Sequence, residues 1–265
     1  MDQEDMRRTA LIGPDDPPPF TIINPEGQAS FLLIGDHAGD AVPASLDGLG
    51  VSAAERARHI GRDIGTARLG MLLAAALDAP FVAQTYSRLV IDCNRDPAST
   101  DAMPAVSDGT VIPANAALSP ADRAARTCAI HAPYHAAIAA LIAHRLASER
   151  RIVLISLHSF TPVMGGIGRP WHAGVLHDGG DTRFARAMLA ALRTEPDLLV
   201  GDNEPYRMDA TDHSVPRHAY PTGLPYLELE IRQDLLVSGA GVAGWAARLA
   251  RLFRAALPFA ATSPI

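Results

Sequence analysis

Cysteine is nearly absent from this chain of 265 residues, which contains only Cys93 and Cys128. Two cysteines cannot form the disulfide framework of a small secreted domain, and neither lies in a CxxC or cysteine-histidine spacing that binds structural zinc. The chain is long enough to bury a full core without covalent cross-links. This composition is typical of a protein that functions in a reducing compartment.

Other features that the sequence lacks argue against several classes of function. The formal charge of −6 gives no surplus of lysine and arginine, which argues against a nucleic-acid surface. No run of about 18 apolar residues occurs, and residues 1–19 lack the apolar region of a signal peptide, so we expect no membrane span and a cytoplasmic protein. The chain has no GxGxxG or P-loop motif, and no GxSxG elbow surrounds Ser159, so neither nucleotide binding nor serine hydrolysis is supported.

Strand-like and helix-like patterns alternate along the chain, which predicts an α/β fold whose sheet is covered by helices on both faces. We expect residues 20–265 to form a single domain, and residues 1–19, charged and then proline-rich, to be a disordered or extended lead-in. Long loops at 94–118 and 201–223 are candidates for function. Strands are predicted at 31–35, 80–86, 88–93, 151–157, 172–177 and 224–232, and helices at 62–77, 121–148, 182–194 and 241–257.

Two apolar runs, FLLIGDH and LISLHSF, carry the histidines His37 and His158 at the carboxyl ends of predicted strands. Ligands bind at these strand ends in open α/β sheets, and imidazole is a common zinc ligand, so the pair predicts a zinc site. A catalytic site typically has a third protein ligand, often a carboxylate. Asp40, three residues after His37, and Asp63, at the start of a predicted helix, both remain candidates. Asp63 has the alternative role of favouring the helix dipole.

The predicted strand YLELEIR places Glu228, Glu230 and Arg232 on one face and apolar side chains on the other. Charges on one face of such a strand are costly unless that face is hydrated or contains a site. An edge strand with a solvated face is the alternative to a functional site. We favour the site, and predict Glu230 as the general base near the metal.

Several motifs in the chain, in the same order, resemble those of the N-formylglutamate amidohydrolase family. The resemblance spans about 200 residues and is carried by HAGDAVP (37–43), RDIG (62–65), SRLVIDCNRDP (87–97), PYH (133–135), LHSF (157–160), RPWHAGVL (169–176), DNEPY (202–206) and LELEIRQDL (227–235). That family is similar in architecture to zinc carboxypeptidases and aspartoacylase. The resemblance therefore implies a three-layer αβα, zinc-exopeptidase-like fold with a mixed, mostly parallel sheet, and hydrolysis at a single zinc ion.

The resemblance also implies roles for individual residues. The implied zinc ligands are His37, Asp63 and His158, and the implied base is Glu230. Asn94 and Arg95 would bind a substrate carboxylate. The HxxE motif of carboxypeptidases is replaced here by His37-Ala-Gly-Asp40, so Asp63 is favoured over Asp40 as the carboxylate ligand.

On this interpretation the protein cleaves the amide of an N-formyl or small N-acyl amino acid, such as N-formyl-L-glutamate. An acidic substrate of this kind needs cationic partners, for which Arg95 and Arg169 are suitable because guanidinium binds carboxylate bidentately. Arg88 is the candidate for stabilising the oxyanion. Arg232 and His135 are candidates for lining the substrate site.

Two other functions remain open on the sequence alone. The same site would suit a carboxypeptidase-like hydrolase of a short peptide or modified amino acid. A non-catalytic protein that binds a metal and a carboxylate ligand is the third hypothesis, and it has no need of a base such as Glu230. We expect a small-molecule partner, and the sequence does not predict the oligomeric state.

Overall fold

The computed structural model describes residues 11–260, and a seven-stranded sheet forms its centre. The sheet and two short hairpins are built from β1 (Phe20–Ile23), β2 (Phe31–Gly35), β3 (Phe81–Gln84), β4 (Val106–Ser107), β5 (Thr110–Val111), β6 (Val153–Phe160), β7 (Val163–Met164), β8 (Ile167–Gly168), β9 (Ala173–Leu176), β10 (Val200–Asp202) and β11 (Tyr226–Arg232). The hairpins are formed by β4 with β5 and by β7 with β8.

Helices lie in several of the connections between the strands. They are α1 (Ala53–Arg56), α2 (Thr66–Leu77), α3 (Pro120–Arg126), α4 (Ala132–Ala147), α5 (Arg183–Arg193), α6 (Ser214–His218) and α7 (Gly239–Ala256). A π-helical turn (Thr127–His131) joins α3 to α4. Short 3₁₀ segments lie at Ala44–Gly50, Thr100–Ala102, Pro113–Asn115, Gln233–Leu236 and Leu257–Ala260.

The strand order of the sheet is β1-β3-β2-β6-β11-β9-β10. The pairs β3–β2, β2–β6, β6–β11 and β9–β10 are parallel. The pairs β1–β3 and β11–β9 are antiparallel. The prediction of a mixed, mostly parallel sheet is confirmed. Because β11 lies between two partners, it is not an edge strand, and the solvated-edge interpretation of its charged face is wrong.

The two faces of the sheet are covered by different helices, as predicted. In β2, Phe31 and Leu33 pack into the core under α2, α5 and α7, whereas Leu32 and Ile34 pack into the core under α4 and α6. This separation follows from the alternation of side chains along a strand. Burying each such side chain contributes about 1.5–3 kcal/mol, so both apolar cores stabilise the three-layer arrangement.

The apolar run RLVIDC (88–93) forms turns and irregular backbone rather than the predicted strand. Leu89, Val90 and Ile91 are nevertheless buried in the core under α4. The backbone N–H of Asp92 donates to the carbonyl of Ala102 in a loop, not to a strand of the sheet. A short apolar run indicates burial but does not by itself distinguish a strand from a packed loop, which explains the difference.

The predicted helix at 121–148 is interrupted at one turn. Ala132 donates its N–H to the carbonyl of Thr127, five residues back, and Pro133 follows at the start of α4. Proline has no N–H to donate and clashes with the preceding turn, so a widened π turn at this position accommodates it.

Residues 1–10 of the predicted lead-in lie outside the described residues, as do residues 261–265. Residues 11–19 contain no helix or strand and are held against the end of β3. The carbonyl of Pro17 accepts from the hydroxyl of Tyr86 at 2.6 Å, and that of Pro19 accepts from the N–H of Thr85 at 3.1 Å.

Within residues 11–260, no helix combines the length and apolar character needed to cross a bilayer.

Candidate metal centre and substrate cavity

The carboxyl ends of β2, β6 and β11 meet at a cavity of about 640 Å³. His37 follows β2 by two residues, and His158 lies in β6 directly beside Glu230 of β11 in the parallel register. Asp63 precedes α2 by three residues, and its N–H donates to the carbonyl of His37 at 2.9 Å. This backbone bond brings the carboxylate to the two imidazoles, so all four side chains line the cavity.

The ring nitrogens of the two histidines converge on one carboxylate oxygen. Asp63 Oδ2 lies 3.5 Å from His37 Nδ1 and 3.0 Å from His158 Nδ1. The Ser159 N–H donates to the same oxygen at 3.2 Å. All three side chains are buried, and their ligand atoms lie within 4.8 Å of one another.

Hydrogen bonds behind the two rings fix which nitrogen faces the cluster. His37 Nε2 lies 2.7 Å from Asp92 Oδ1, and a carboxylate only accepts, so Nε2 carries the proton. His158 Nε2 lies 2.9 Å from the hydroxyl of Ser156, which itself donates to Asp36. Each Nδ1 therefore presents a lone pair to Asp63 when its ring is neutral. Metal-binding histidines are oriented by partners of this kind.

The residues present fit a divalent metal. Two imidazole lone pairs and one carboxylate are the donor set of many catalytic zinc sites. His37 Nδ1 is buried and has no hydrogen-bond partner within residues 11–260. A buried acceptor without a partner is costly, and a cation at this point would satisfy it.

The pKa values at the cluster reflect converging negative charge. Burial acts to lower the pKa of His158, but hydrogen bonds to Asp36 and Asp63 outweigh it and hold that pKa well above the usual value. Burial acts to raise the pKa of Asp63, yet the charges of the two histidines hold it below its usual range. A site that attracts protons in this way also attracts a cation.

Two carboxyl groups of β11 face the cavity beside the cluster. Burial raises the pKa of Glu230 to about 7 and that of Glu228 to about 8. One oxygen of each, Oε2, is buried without a hydrogen-bond partner in the described part of the chain. At neutral pH, Glu230 is therefore poised to exchange a proton, whereas Glu228 is mostly protonated.

Arg88, whose side chain is partly exposed, forms an ion pair with the buried Asp92 at the cluster. The guanidinium of Arg88 donates to Asp92 Oδ2 at 2.7 Å and to Asp63 Oδ1 at 3.3 Å, and it lines the cavity. Arg88 is among the site residues predicted from the sequence, whereas Asp92 is not, because its run was interpreted as a strand. A single acid within an apolar run was the available signal, because aspartate is almost never fully buried unless paired.

Asn94 and Arg95 also line the cavity. Asn94 Oδ1 accepts from the backbone N–H groups of His213 and Ser214 at 3.0 and 2.9 Å. Its NH₂ group donates to Asp212 Oδ1 at 3.4 Å, which leaves one N–H for a ligand. The Arg95 guanidinium lies 3.6 Å from Asp212 and donates to two backbone carbonyls. Both residues are thus held at the rim by the 94–118 and 201–223 loops.

A cation missed by the sequence analysis is Arg207, which lines the cavity from the 201–223 loop. Its side chain is exposed and makes no hydrogen bond or ion pair to any other residue between 11 and 260. No local sequence pattern marks Arg207, because it lies in an irregular loop.

Three predicted substrate residues lie outside the cavity lining. Arg169 donates to the hydroxyl of Tyr206 at 2.8 Å and stacks on its ring, so it contacts the cavity only through that tyrosine. Arg232 pairs with Asp234 at 2.8 Å. His135 is buried behind the wall, with Nε2 2.9 Å from the carbonyl of Cys93.

Asp40, the other candidate carboxylate ligand, is not part of the cluster. It forms an ion pair with Arg62 at 2.5 Å, and both side chains are about 40% exposed. The structure therefore brings Asp63, and not Asp40, to the two histidines.

A model of the N-formylglutamate amidohydrolase family matches residues 29–237, which is well over half of the chain. The chain belongs to this family. It is accordingly a hydrolase that acts on amides. Membership of the N-formylglutamate amidohydrolase family implies a small-molecule substrate. The match contains His37, Asp63, His158 and Glu230.

Solved structures agree with the fold of this amidohydrolase family member. A gene product from Agrobacterium tumefaciens is 37% identical with a TM-score of 0.90, and the match covers 94% of this chain and 98% of that one. An N-formylglutamate amidohydrolase from Ralstonia eutropha is 23% identical with a TM-score of 0.66, over 91% of this chain and 98% of that one. No curated protein sequence matches the chain significantly.

Proposed function

We propose that this family member is a zinc-dependent hydrolase of N-formyl or other small N-acyl amino acids, with N-formyl-L-glutamate as the first candidate substrate. The products are formate, or the small acid, and the free amino acid. The observation that carries the proposal is the convergence of His37, Asp63 and His158 beside Glu230, in one cavity large enough for a small substrate.

The three converging side chains would hold the zinc ion through two Nδ1 atoms and one carboxylate oxygen. Zinc in such a site lowers the pKa of water towards neutrality and polarises a carbonyl oxygen. The partners behind the ligands, Asp92 for His37 and Ser156 for His158, keep the Nδ1 lone pairs directed into the cavity.

Glu230 is the proposed general base and then the general acid. It accepts a proton as the water oxygen bonds to the acyl carbon, and it returns that proton to the nitrogen as the C–N bond breaks. A pKa of about 7 suits both roles, because transfer is efficient when the pKa lies near the operating pH. Glu228, protonated at neutral pH, does not compete for this proton.

Arg88 is proposed to stabilise the negative charge that develops on the acyl oxygen. Its side chain is 27% exposed, so its guanidinium reaches the cavity although two of its nitrogens are paired with Asp63 and Asp92. Fixed charges of this kind stabilise a transition state without reorganisation. The paired carboxylates hold the guanidinium in place for this role.

Arg95 and Arg207 are proposed to bind the substrate carboxylates, with the amide of Asn94 beside them. Arg95 is held in place by its rim contacts, and Arg207 has its donors unused among the described residues. Guanidinium binds carboxylate bidentately and stays charged when partly desolvated. Arg169 has a positioning role here, because it orients Tyr206 at the cavity wall.

The test is formate release from N-formyl-L-glutamate by the purified protein, before and after chelation and zinc restoration. Asp63→Asn replaces the anionic ligand with a neutral amide whose NH₂ would oppose either the Ser159 N–H or Arg88, so we expect loss of zinc at this site and of turnover. Asp40→Asn is the matched control, which should retain both. Zinc-dependent turnover with this pattern supports the proposal. Bound zinc without release of the free amino acid from any of a panel of N-formyl and small N-acyl amino acids would refute the substrate class.

A further inference from the structure

A second group of histidines lies behind the wall of the cavity, at the start of α4 and α6. His131 and His135 are one helical turn apart, and His213 directly precedes α6. One ring nitrogen from each of the three lies within 4.8 Å of those from the other two. None of the three lines the cavity described above.

The spacing of these rings matches that of imidazoles around one metal ion. With a metal-nitrogen distance of about 2.0–2.1 Å and tetrahedral angles, the ring centroids of two ligands lie about 5 Å apart. The three centroid distances here are 4.4, 5.3 and 5.1 Å. For comparison, His37 and His158 in the cavity cluster are separated by 5.0 Å.

Backbone carbonyls orient two of the rings. His131 Nε2 lies 3.1 Å from the carbonyl of Arg95, and His135 Nε2 lies 2.9 Å from that of Cys93. A carbonyl only accepts, so each Nε2 carries the proton and each Nδ1 presents a lone pair. This is the arrangement that backbone carbonyls impose on metal-binding histidines.

The third ring contributes an unused nitrogen. His213 Nε2 is buried and has no hydrogen-bond partner in the described part of the chain. A fourth histidine, His218, lies next to the group, with Nε2 2.9 Å from His135 Nδ1. The Nε2–H of His218 donates to the lone pair of His135 Nδ1, and a bound cation would replace this hydrogen bond.

The protonation state and the donor type of these histidines suit a soft or borderline cation. Burial lowers the pKa of His135 to about 2 and that of His218 to about 4, and it also lowers the pKa of His131 and His213. All four rings are therefore neutral at pH 7, as ligands must be. Imidazoles without a carboxylate favour Zn²⁺, Co²⁺, Ni²⁺ or Cu²⁺ over Mg²⁺ and Ca²⁺.

We propose that His131, His135 and His213 form a second metal site, for a divalent transition-metal cation. The site has a structural role, because it joins α4 to the loop that carries Asp212 and to the segment around Arg95, both of which line the cavity. Binding there fixes the cavity wall without contact to the substrate.

The test is metal stoichiometry of the untagged, full-length protein, stripped by a chelator and then titrated with Zn²⁺ or Co²⁺ alone. We expect two equivalents for the wild type, one for His213→Ala, one for Asp63→Asn, and none for the double variant. His213 is partly exposed and its ring nitrogen is unpaired, so its removal should leave the fold intact, which circular dichroism checks.

His144→Ala is the matched control, since His144 is exposed on the same helix and lies outside both groups. This variant should keep two equivalents. The visible absorption of bound Co²⁺ should lose a separate component in each single variant. The proposal is overturned if the wild type binds one equivalent that Asp63→Asn removes, or if folded His213→Ala still binds two. The first of these outcomes would refute the second metal site but would still support a metal held by His37, Asp63 and His158.

Discussion

At the scale of single residues, the chemistry depends on two neighbouring glutamates with different protonation. Glu228 and Glu230 project from the same face of β11, and burial raises both pKa values, to about 8 and about 7. Two carboxyls so close cannot both be ionised cheaply, so one tends to stay protonated. We assign the proton to Glu228 and proton transfer to Glu230.

Substituting Glu228 or Glu230 with glutamine distinguishes the roles of the two glutamates. Glu230→Gln removes the base, so kcat should fall by about 10²–10⁴-fold. Glu228→Gln replaces a protonated carboxyl with an amide that also donates, so kcat should change by less than about threefold. Formate release measured for both variants, with zinc content checked, tests the assignment, which fails if the two losses are equal or reversed.

Asp92 acts on the metal through His37. Replacing its carboxylate in Asp92→Asn weakens the 2.7 Å contact to His37 Nε2, and metal affinity at the cavity cluster should fall about 10–100-fold. Asp101→Asn is the control, because Asp101 also lines the cavity but makes no contact with either histidine. Competition with a chromophoric chelator measures both affinities, and an equal loss in the two variants would point to net charge rather than to orientation.

At the scale of elements, the site depends on close packing of helices onto the sheet. Gly70 in α2 lies directly over the ring of Phe81 in β3, where an added Cβ would come within 2.3 Å of the ring. Asp63 is held three residues before the same helix. The absence of a side chain at Gly70 therefore lets α2 approach the sheet and carry Asp63 to the histidines.

Two glycine-to-alanine changes test this packing. Gly70→Ala should destabilise the protein by about 1–3 kcal/mol through overpacking of the core. Gly244→Ala in α7 meets nothing within 4 Å, so the gain in helix propensity should stabilise the protein by about 0.5–1 kcal/mol. Urea unfolding of both variants provides the comparison, and shifts of the same sign would contradict the close approach of α2.

At the scale of the whole molecule, burying carboxyl groups couples stability to pH. Glu228 has a pKa of about 8 in the folded chain and 4.5 as its ordinary value, so the folded protein binds more protons between these two values. The resulting stabilisation is fully present below about pH 4.5 and is lost as the pH rises through about 8.

Glu228→Gln removes this titration. With chelator present, the variant should gain stability relative to the wild type as the pH rises from 4.5 to 8. The gain should be on the order of a few kcal/mol, because each pKa unit corresponds to about 1.4 kcal/mol. Urea unfolding of both proteins at several pH values measures it, and parallel curves would show that Glu228 titrates normally.

The sequence alone determined the layered α/β class and most elements of the sheet. The apolar run Phe31–Gly35 and the alternation of charged and apolar side chains in Tyr226–Arg232 are local patterns, and both segments form buried strands. Histidines at strand ends and glutamates on one strand face were visible for the same reason. The candidate ligands and the candidate base were therefore within reach of sequence reasoning.

Only the tertiary structure decided which of these residues meet. From the residues alone Asp63 and Asp40 were both candidates, but a backbone bond to His37 brings Asp63 into the cluster, whereas Asp40 pairs with Arg62 in solvent. Asp92, Arg207 and His213 lie outside the regular elements, and His213 approaches His131 and His135 from a distant part of the chain. Their contacts join residues distant along the chain, and such contacts leave no periodic pattern in the sequence, because they arise from how the layers pack.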